Sequence, residues 1–188
     1  MTKPSQPVAN ALLGAILALT CVASWYIPMM PISTFRWFSY HPLFMLIGTC
    51  SFVSSAVIKK LGGYANTKLH GMLALVGTVA YYVGFYVIWV NKEDNSADHF
   101  TTNHSYSGGA ALMLVTALLT VGLVALHPDF GALKTHKMVR LLHKSFGALA
   151  ILLSLYTVYT GVATVSNEPV VLNSLIAGLV VFGGVVVF

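Results

Sequence analysis

Six stretches of this sequence, each at least 20 residues long, contain no Asp, Glu, Lys or Arg. They are residues 4–35, 37–58, 69–91, 105–126, 145–167 and 169–188. About 20 apolar residues in a helix are enough to cross the hydrocarbon core of a bilayer, which is about 30 Å thick. The pattern therefore predicts six membrane-spanning helices, which together use nearly the whole chain.

The composition also favours a membrane protein. Only 8% of the 188 residues are charged and 57% are hydrophobic, whereas about 25% of the residues in an average soluble domain are charged. No stretch remains for a separate water-soluble domain, so we expect one all-α transmembrane domain over residues 1–188. The first apolar run follows Lys3 and is compatible with a signal peptide, but its length favours a retained helix.

The basic residues predict the orientation of the helices. If the N-terminus lies in the cytosol, eight of the ten basic residues are cytosolic and only Arg36 and Lys92 are not. This distribution follows the rule that cytosolic loops are enriched in Lys and Arg. Six spans then place both termini in the cytosol. The net charge of +5 reflects this topology, so no nucleic-acid partner is expected.

Four of the seven histidines stand near the start of a predicted span. His41 opens the second span, His70 the third, His104 the fourth and His143 the fifth. Because alternate spans run in the same direction, His41 and His104 should share the non-cytosolic depth, and His70 and His143 the cytosolic depth. Ionisable side chains at membrane depth are costly and usually functional. The sequence thus predicts a first histidine pair, His41 with His104, and a second histidine pair, His70 with His143.

A haem iron suits two facing imidazoles better than zinc does. Zinc usually takes three or four protein ligands, and no cysteine or acidic residue is predicted at the depth of either pair. Two axial histidines are enough for a haem iron, because the porphyrin fills the other positions and its apolar rim suits a helical bundle. The sequence has no Cys-x-x-Cys-His motif, so we expect two noncovalent b haems with bis-histidine ligation.

Glycines near the four histidines allow two interpretations. They could let a flat macrocycle approach the backbone, or they could permit close packing between membrane helices. The glycines concerned are Gly48, Gly71, Gly77, Gly84, Gly108, Gly109 and Gly147. Their positions alone do not decide between the two roles.

Four short segments resemble the haem-ligand segments of the eukaryotic cytochrome b561 family. They are "YHPLFM", "KLHG", "NHSYSGG" and "LLHKSFG", each at the head of a span and in this order. The resemblance covers roughly residues 37–163 and is closest to the short, single-domain members, the cytochrome b561 domain-containing type. It implies a six-helix membrane fold whose four central helices hold two b haems. Carried over residue by residue, it implies that His41 and His104 ligate the non-cytosolic haem iron, and His70 and His143 the cytosolic one.

The resemblance also implies an activity. Family members use ascorbate as the cytosolic electron donor, and Lys68 matches a basic position beside that donor, with Arg140 as a second candidate. The chain reads "AVIKKLGG" at residues 56–63, where the better-known ascorbate-dependent members carry an aromatic-arginine segment. His99, in the predicted non-cytosolic loop, is a candidate for docking a ferric chelate or monodehydroascorbate.

These observations lead us to expect a transmembrane, ascorbate-dependent oxidoreductase in the plasma membrane or in an endomembrane such as the ER or a vesicle. Its expected partners are the lipid bilayer, a small anionic reductant on the cytosolic side, and a ferric chelate or monodehydroascorbate on the other side. A homodimer is one option for its oligomeric state. Two other functions fit the same residues. A transporter or proton channel could use a histidine relay, although the span centres offer mostly Leu, Val, Ala and Gly. A haem-bearing anchor subunit of a larger oxidoreductase would carry a tightly bound partner.

Overall fold

The computed structural model of this chain describes residues 5–30, 33–166 and 173. The described part contains five long helices: α1 Gln6–Tyr26, α2 Tyr40–Leu61, α3 Tyr64–Asp94, α4 Asn103–Val124 and α5 Lys137–Val165. One-turn 3-10 helices lie at Ile27–Met29 and Trp37–Ser39. All five long helices are long and apolar enough to cross a membrane, so the chain is an integral membrane protein. The predicted sixth span, 169–188, lies outside the described residues except for Asn173.

Two helices begin more than one turn earlier than the charge-free runs predict. The helix α3 begins five residues before its run, and α5 begins eight residues before its run. The first turns of both helices carry basic side chains, whose charges can reach the polar headgroup region while the backbone is already helical. As a result, His70 and His143 are each the seventh residue of their helix, whereas His41 and His104 are each the second.

Local signals explain several helix ends. The turn between α2 and α3 consists of Gly62 and Gly63, whose φ angles of 70° and 88° favour glycine. The helix α4 begins with a capping box, in which the Thr102 hydroxyl accepts from the Ser105 N–H at 3.2 Å and the Ser105 hydroxyl accepts from the Thr102 N–H at 3.0 Å. His136 caps α5 because its Nδ1 accepts a backbone N–H of the first turn at 3.4 Å.

The helices form two antiparallel pairs, α2 with α3 and α4 with α5, and α1 lies against α2. Contacts of α2 with α5 and of α3 with α4 join the two pairs. The buried apolar core lies between the helices and includes Phe52, Val57, Tyr81, Val115 and Leu155. Many large apolar side chains remain exposed on the outside of the bundle, as expected for helices that face lipid.

Gly48 and Gly77 bring α2 and α3 into direct backbone contact. A Cβ atom on Gly77 would lie 3.0 Å from the carbonyl oxygen of Gly48 and 2.8 Å from the ring of Phe52. A Cβ atom on Gly48 would overlap the ring of Tyr81, which packs edge-on against Phe52 with ring centres 5.1 Å apart. For these two glycines, close helix packing is the role that the contacts support.

This contact leads to a prediction for stability. We expect Gly77→Ala to destabilise the protein by about 1–3 kcal/mol, because neither the Gly48 backbone nor the Phe52 ring can move aside cheaply. The matched control is Gly14→Ala in α1, where a Cβ atom would meet nothing within 4 Å. Alanine in a helix interior is favoured over glycine by about 0.5–1 kcal/mol, so the control should unfold at the same temperature or higher. Equal melting temperatures of the two variants in detergent would contradict the prediction.

Candidate functional site

His41 and His104 face each other at one end of the bundle. Their ring centres are 6.1 Å apart and their planes are inclined by 88°. The His41 side chain is buried and the His104 side chain is half-buried. Both residues stand in the first turn of helices that run in the same direction, so the first histidine pair meets where the topology predicts.

His70 and His143 face each other in the same way at the other end. Their ring centres are 6.3 Å apart and their planes are inclined by 80°. The Ser55 hydroxyl of α2 lies 2.6 Å from Nδ1 of His70, and Ser55 stands 14 residues after His41. At 1.5 Å per residue, the two pairs are about 21 Å apart along α2. Both therefore fit within the thickness of one bilayer.

Backbone carbonyls orient three of the four imidazoles. The Nδ1 contacts are His41 with Gly84 at 2.9 Å, His104 with Thr157 at 3.0 Å and His70 with Ser55 at 3.1 Å. A carbonyl oxygen only accepts, so Nδ1 carries the hydrogen in each of these rings and Nε2 keeps its lone pair. The Nδ1 of His143 is buried and has no hydrogen-bond partner within the described part of the chain.

The distances within both pairs suit two imidazoles that bind one metal ion from opposite sides. A bond between a metal and an imidazole nitrogen is about 2 Å long and the ring centre lies about 1 Å beyond that nitrogen, so the two centres would be about 6 Å apart. Among the described residues, no group of three or more His, Cys, Asp or Glu side chains comes together as a metal site. The paired imidazoles therefore fit a metal complex that brings its own remaining ligands, as haem does.

A cavity of about 350 Å³ lies beside the first histidine pair. Both His41 and His104 line it, together with many apolar side chains, and Lys92, His99 and Thr102 line it near the α3–α4 loop. Its volume is within the range of about 300–1,000 Å³ typical of small-molecule sites. A mostly apolar cavity that ends in polar groups suits a hydrophobic cofactor with polar substituents.

Gly161 belongs to this site, although no sequence pattern marks it. It lies on α5, where a Cβ atom would be 2.7 Å from Cε1 of the His104 ring. The same ring is held from α5 by the carbonyl of Thr157. The helix α5 thus fixes the orientation of an imidazole that α4 supplies. The carbonyl contacts leave no signal in the sequence either, because every residue type carries a backbone carbonyl.

Lys68 already holds a carboxylate. Its Nζ lies 2.9 Å from Oδ2 of Asp129 in the α4–α5 loop, and it donates to the Tyr64 hydroxyl at 2.9 Å. The Tyr64 hydroxyl in turn donates to Oδ1 of Asp129. The hydrogen bond from Tyr64, followed by the contact with Lys68, lowers the pKa of Asp129. The ammonium of Lys68, the hydroxyl of Tyr64 and the carboxylate of Asp129 therefore each contact the other two.

The other candidate for binding the reductant, Arg140, is exposed on the first turn of α5. Its charge is near that of Lys59 on α2, and Lys59 also lies near His70 and His143. Basic side chains of α2 and α5 thus gather at the end that carries the second histidine pair. Such a cluster attracts small anions, although the enrichment of cytosolic loops in basic residues alone would also place lysines there.

His99, the candidate for docking the acceptor, lies near the first histidine pair. Its Nε2 is 2.9 Å from Oε1 of Glu93, and its ring stacks on Trp89 with ring centres 3.8 Å apart. His99 and Trp89 line the same cavity as His104. The structure therefore brings His99 to the same end as the first pair, and Trp89 supports it without having been marked by any sequence motif.

Comparison with known proteins agrees with these features. The chain matches the family model of eukaryotic cytochrome b561 over residues 40–167, which is well over half of the chain and includes both histidine pairs. The comparison with curated proteins gives no match. A match of this extent, over four helices that each supply one histidine, identifies the family. The chain belongs to the eukaryotic cytochrome b561 family, integral membrane proteins that bind haem b and transfer electrons across the bilayer.

Proposed function

We propose that this protein transfers electrons through two b haems from cytosolic ascorbate to a ferric chelate or monodehydroascorbate on the other side of the membrane. The observation that carries the proposal is the presence of two imidazole pairs, with ring centres 6.1 and 6.3 Å apart, at opposite ends of the bundle. In this proposal His41 and His104 hold one haem, and His70 and His143 hold the other. A haem iron held by both imidazoles of a pair would supply one-electron redox chemistry and would have no position open for oxygen.

The groups around the imidazoles support this role. In His41, His70 and His104 the Nδ1 hydrogen is engaged by a backbone carbonyl, which leaves Nε2 as the nitrogen available to a metal. Hydrogen bonds of this kind fix the orientation of a ligating histidine and make it a stronger ligand. The protein thus prepares these three rings for metal binding through its backbone.

The orientation of the bundle follows from charge. The second histidine pair shares its end with Lys59, Lys68 and Arg140, and cytosolic loops are enriched in basic residues, so this end faces the cytosol in our proposal. The cytosol is negative, and moving an electron outward across the membrane then gains about 2.3 kcal/mol per 100 mV. The direction from a cytosolic donor to an outer acceptor is therefore the favourable one.

Ascorbate is a small organic anion, and the proposed cytosolic end offers cations to bind it. Lys68 and Arg140 lie on α3 and α5, the two helices that supply the second histidine pair. The planar guanidinium of Arg140 suits the oxygens of a planar anion. At the other end, His99 stands beside the cavity of the first pair and is the residue that we propose for docking the acceptor.

A proton relay through the histidines receives less support. Between the two pairs, the Tyr81 hydroxyl lies 2.8 Å from the Thr49 hydroxyl, and Thr49 donates to the carbonyl of Met45 at 2.9 Å. The Tyr81 hydroxyl also has a hydrogen bond with the Ser154 side chain of α5, and the Ser154 hydroxyl donates to the carbonyl of Ala150 at 2.8 Å. This polar contact thus ends on a helix backbone at both sides. A relay would instead need hydrogen bonds that continue from one histidine pair toward the other.

The proposal is tested by optical spectroscopy on detergent-purified protein. We expect a pyridine haemochrome assay to give two b haems per chain. We expect ascorbate to reduce both haems, so that the protein shows the spectrum of low-spin ferrous haem. A colourless protein would overturn the electron-transfer function. If dithionite reduces the haems and ascorbate does not, the electron-transfer function stands and the role of ascorbate as the donor is overturned.

A further inference from the structure

The carboxylate of Asp129 occupies a small anion site made by two donors of α3. Its Oδ1 accepts the hydroxyl hydrogen of Tyr64, and its Oδ2 lies 2.9 Å from Nζ of Lys68. The Lys68 ammonium is also 4.9 Å from the centre of the Tyr64 ring. Tyr64 and Lys68 are four residues apart on one helix and so present their side chains on the same face. The two donors thus hold the two oxygens of one anion.

The loop that carries Asp129 is folded in a defined way. Lys134 donates to the carbonyls of Asp129 at 2.9 Å and of Pro128 at 3.1 Å. The Gly131 N–H donates to the carbonyl of His127 at 2.9 Å, and a Cβ atom on Gly131 would lie 2.7 Å from that same carbonyl oxygen. The tight turn and the Lys134 contacts place the Asp129 carboxylate against α3.

A soluble anion can reach this site. The side chains of Lys68 and Asp129 are 44% and 40% exposed, and exposed ion pairs are weak because water and salt screen them. A ligand with two neighbouring oxygens and a negative charge could therefore take the place of the carboxylate. The oxygens on the two adjacent carbons of a singly ionised enediol meet this description, and so do the two oxygens on the one carbon of a carboxylate.

We infer that Asp129 is an internal competitor for the reductant, and that the reductant anion binds to Tyr64 and Lys68 in place of the Asp129 carboxylate. This inference rests on the proposed role of Lys68 in docking the donor. It adds Tyr64 to the reductant site as a hydroxyl donor, and it makes Asp129 a residue that sets affinity for the anion. Asp129 then raises the KM for the reductant without taking part in electron transfer.

The test measures binding without turnover. The haem-loaded protein is reduced with dithionite, freed of excess reagent under anaerobic conditions, and dialysed to equilibrium against labelled ascorbate. We expect Asp129→Asn to bind ascorbate roughly two- to fivefold more tightly, as expected when a surface ion pair stops competing. Asp129→Glu keeps the negative charge and should stay closer to the unmodified protein. Equal dissociation constants for the Asn and Glu variants would overturn the inference.

A double variant separates competition from a general charge effect. Lys68→Gln alone should weaken ascorbate binding, and Asp129→Asn should then add nothing in the Lys68→Gln background, because the site for which the carboxylate competes has been removed. A gain of the same size in both backgrounds would assign the effect to long-range charge and overturn the inference. Tyr64→Phe keeps the ring and removes the donor, so it should weaken ascorbate binding in the Asp129→Asn background.

The outcomes distinguish this inference from the proposed function. If Lys68→Gln weakens binding and Asp129→Asn does not strengthen it, the competitor role is wrong and the reductant site at Lys68 stands. If Lys68→Gln leaves the dissociation constant unchanged, both the docking role of Lys68 and the inference are wrong. The haem content of each variant, measured by the pyridine haemochrome assay, should equal that of the unmodified protein, which shows that the fold and the cofactor sites are intact.

Discussion

Alanine in place of His41 should remove one b haem and leave the other bound, and alanine in place of His104 should remove the same one. Each haem iron in our proposal would be held by both imidazoles of one pair, so the loss of either ring would remove one of its two protein ligands. The two pairs are about 21 Å apart along α2, so the site at His70 and His143 should remain occupied. The haem content measured by the pyridine haemochrome assay should therefore fall from two haems per chain to about one.

The complementary variants, His70→Ala and His143→Ala, should remove the other haem. Spectra recorded during a redox titration identify which component is lost in each variant. His127→Ala is a matched control, because this ring stacks on Phe130 in the α4–α5 loop with ring centres 3.9 Å apart and should be dispensable for both haems. Loss of different components in His41→Ala and His104→Ala would contradict the pairing.

The histidine pairing could be predicted from the sequence because it depends on topology alone. Charge-free runs mark the spans, alternate spans share a direction, and a residue near the start of a span has a known depth. None of these steps needs a side-chain contact. The same reasoning predicts the existence of the five described helices, since about 20 apolar residues form a helix wherever the solvent is lipid.

The helix ends could not be predicted in the same way. A charged residue marks where the hydrocarbon core ends, whereas a helix ends where its backbone hydrogen bonds end. In α3 and α5 the two boundaries differ by five and eight residues. This difference puts Tyr64 and Lys68 on the same helix, one turn apart, and so creates the two-donor site that Asp129 fills.

Contacts that depend on the packing of distant segments also had no signal in the sequence. Lys68 and Asp129 are far apart along the chain, and the ion pair between them depends on the fold of the α4–α5 loop. Gly48 and Gly77 are compatible with cofactor contact or with helix packing until the rings of Phe52 and Tyr81 are seen against them. In each case the residue types were visible, and the partner was decided by the tertiary structure.

Gly161→Ala should weaken the haem at the first histidine pair while leaving the second site intact. The added Cβ atom would lie 2.7 Å from Cε1 and 3.0 Å from Nδ1 of His104, which is too close for the ring to stay in place. The ring cannot move away without losing the Nδ1 hydrogen bond to the Thr157 carbonyl at 3.0 Å. Disturbing the contacts that orient a metal ligand typically costs about 10- to 100-fold in affinity. We therefore expect partial occupancy of this haem after purification.

Gly147→Ala, on the same helix, is the matched control for this effect. A Cβ atom there would meet nothing within 4 Å, and Gly147 lies about one turn from His143 rather than near His104. It should leave the haem of the first pair at full occupancy. If Gly161→Ala and Gly147→Ala retained the first-pair haem equally, the His104 ring would have to tolerate displacement. In that case the carbonyl of Thr157 and the close approach of α5 would not be what holds this imidazole in its ligating position.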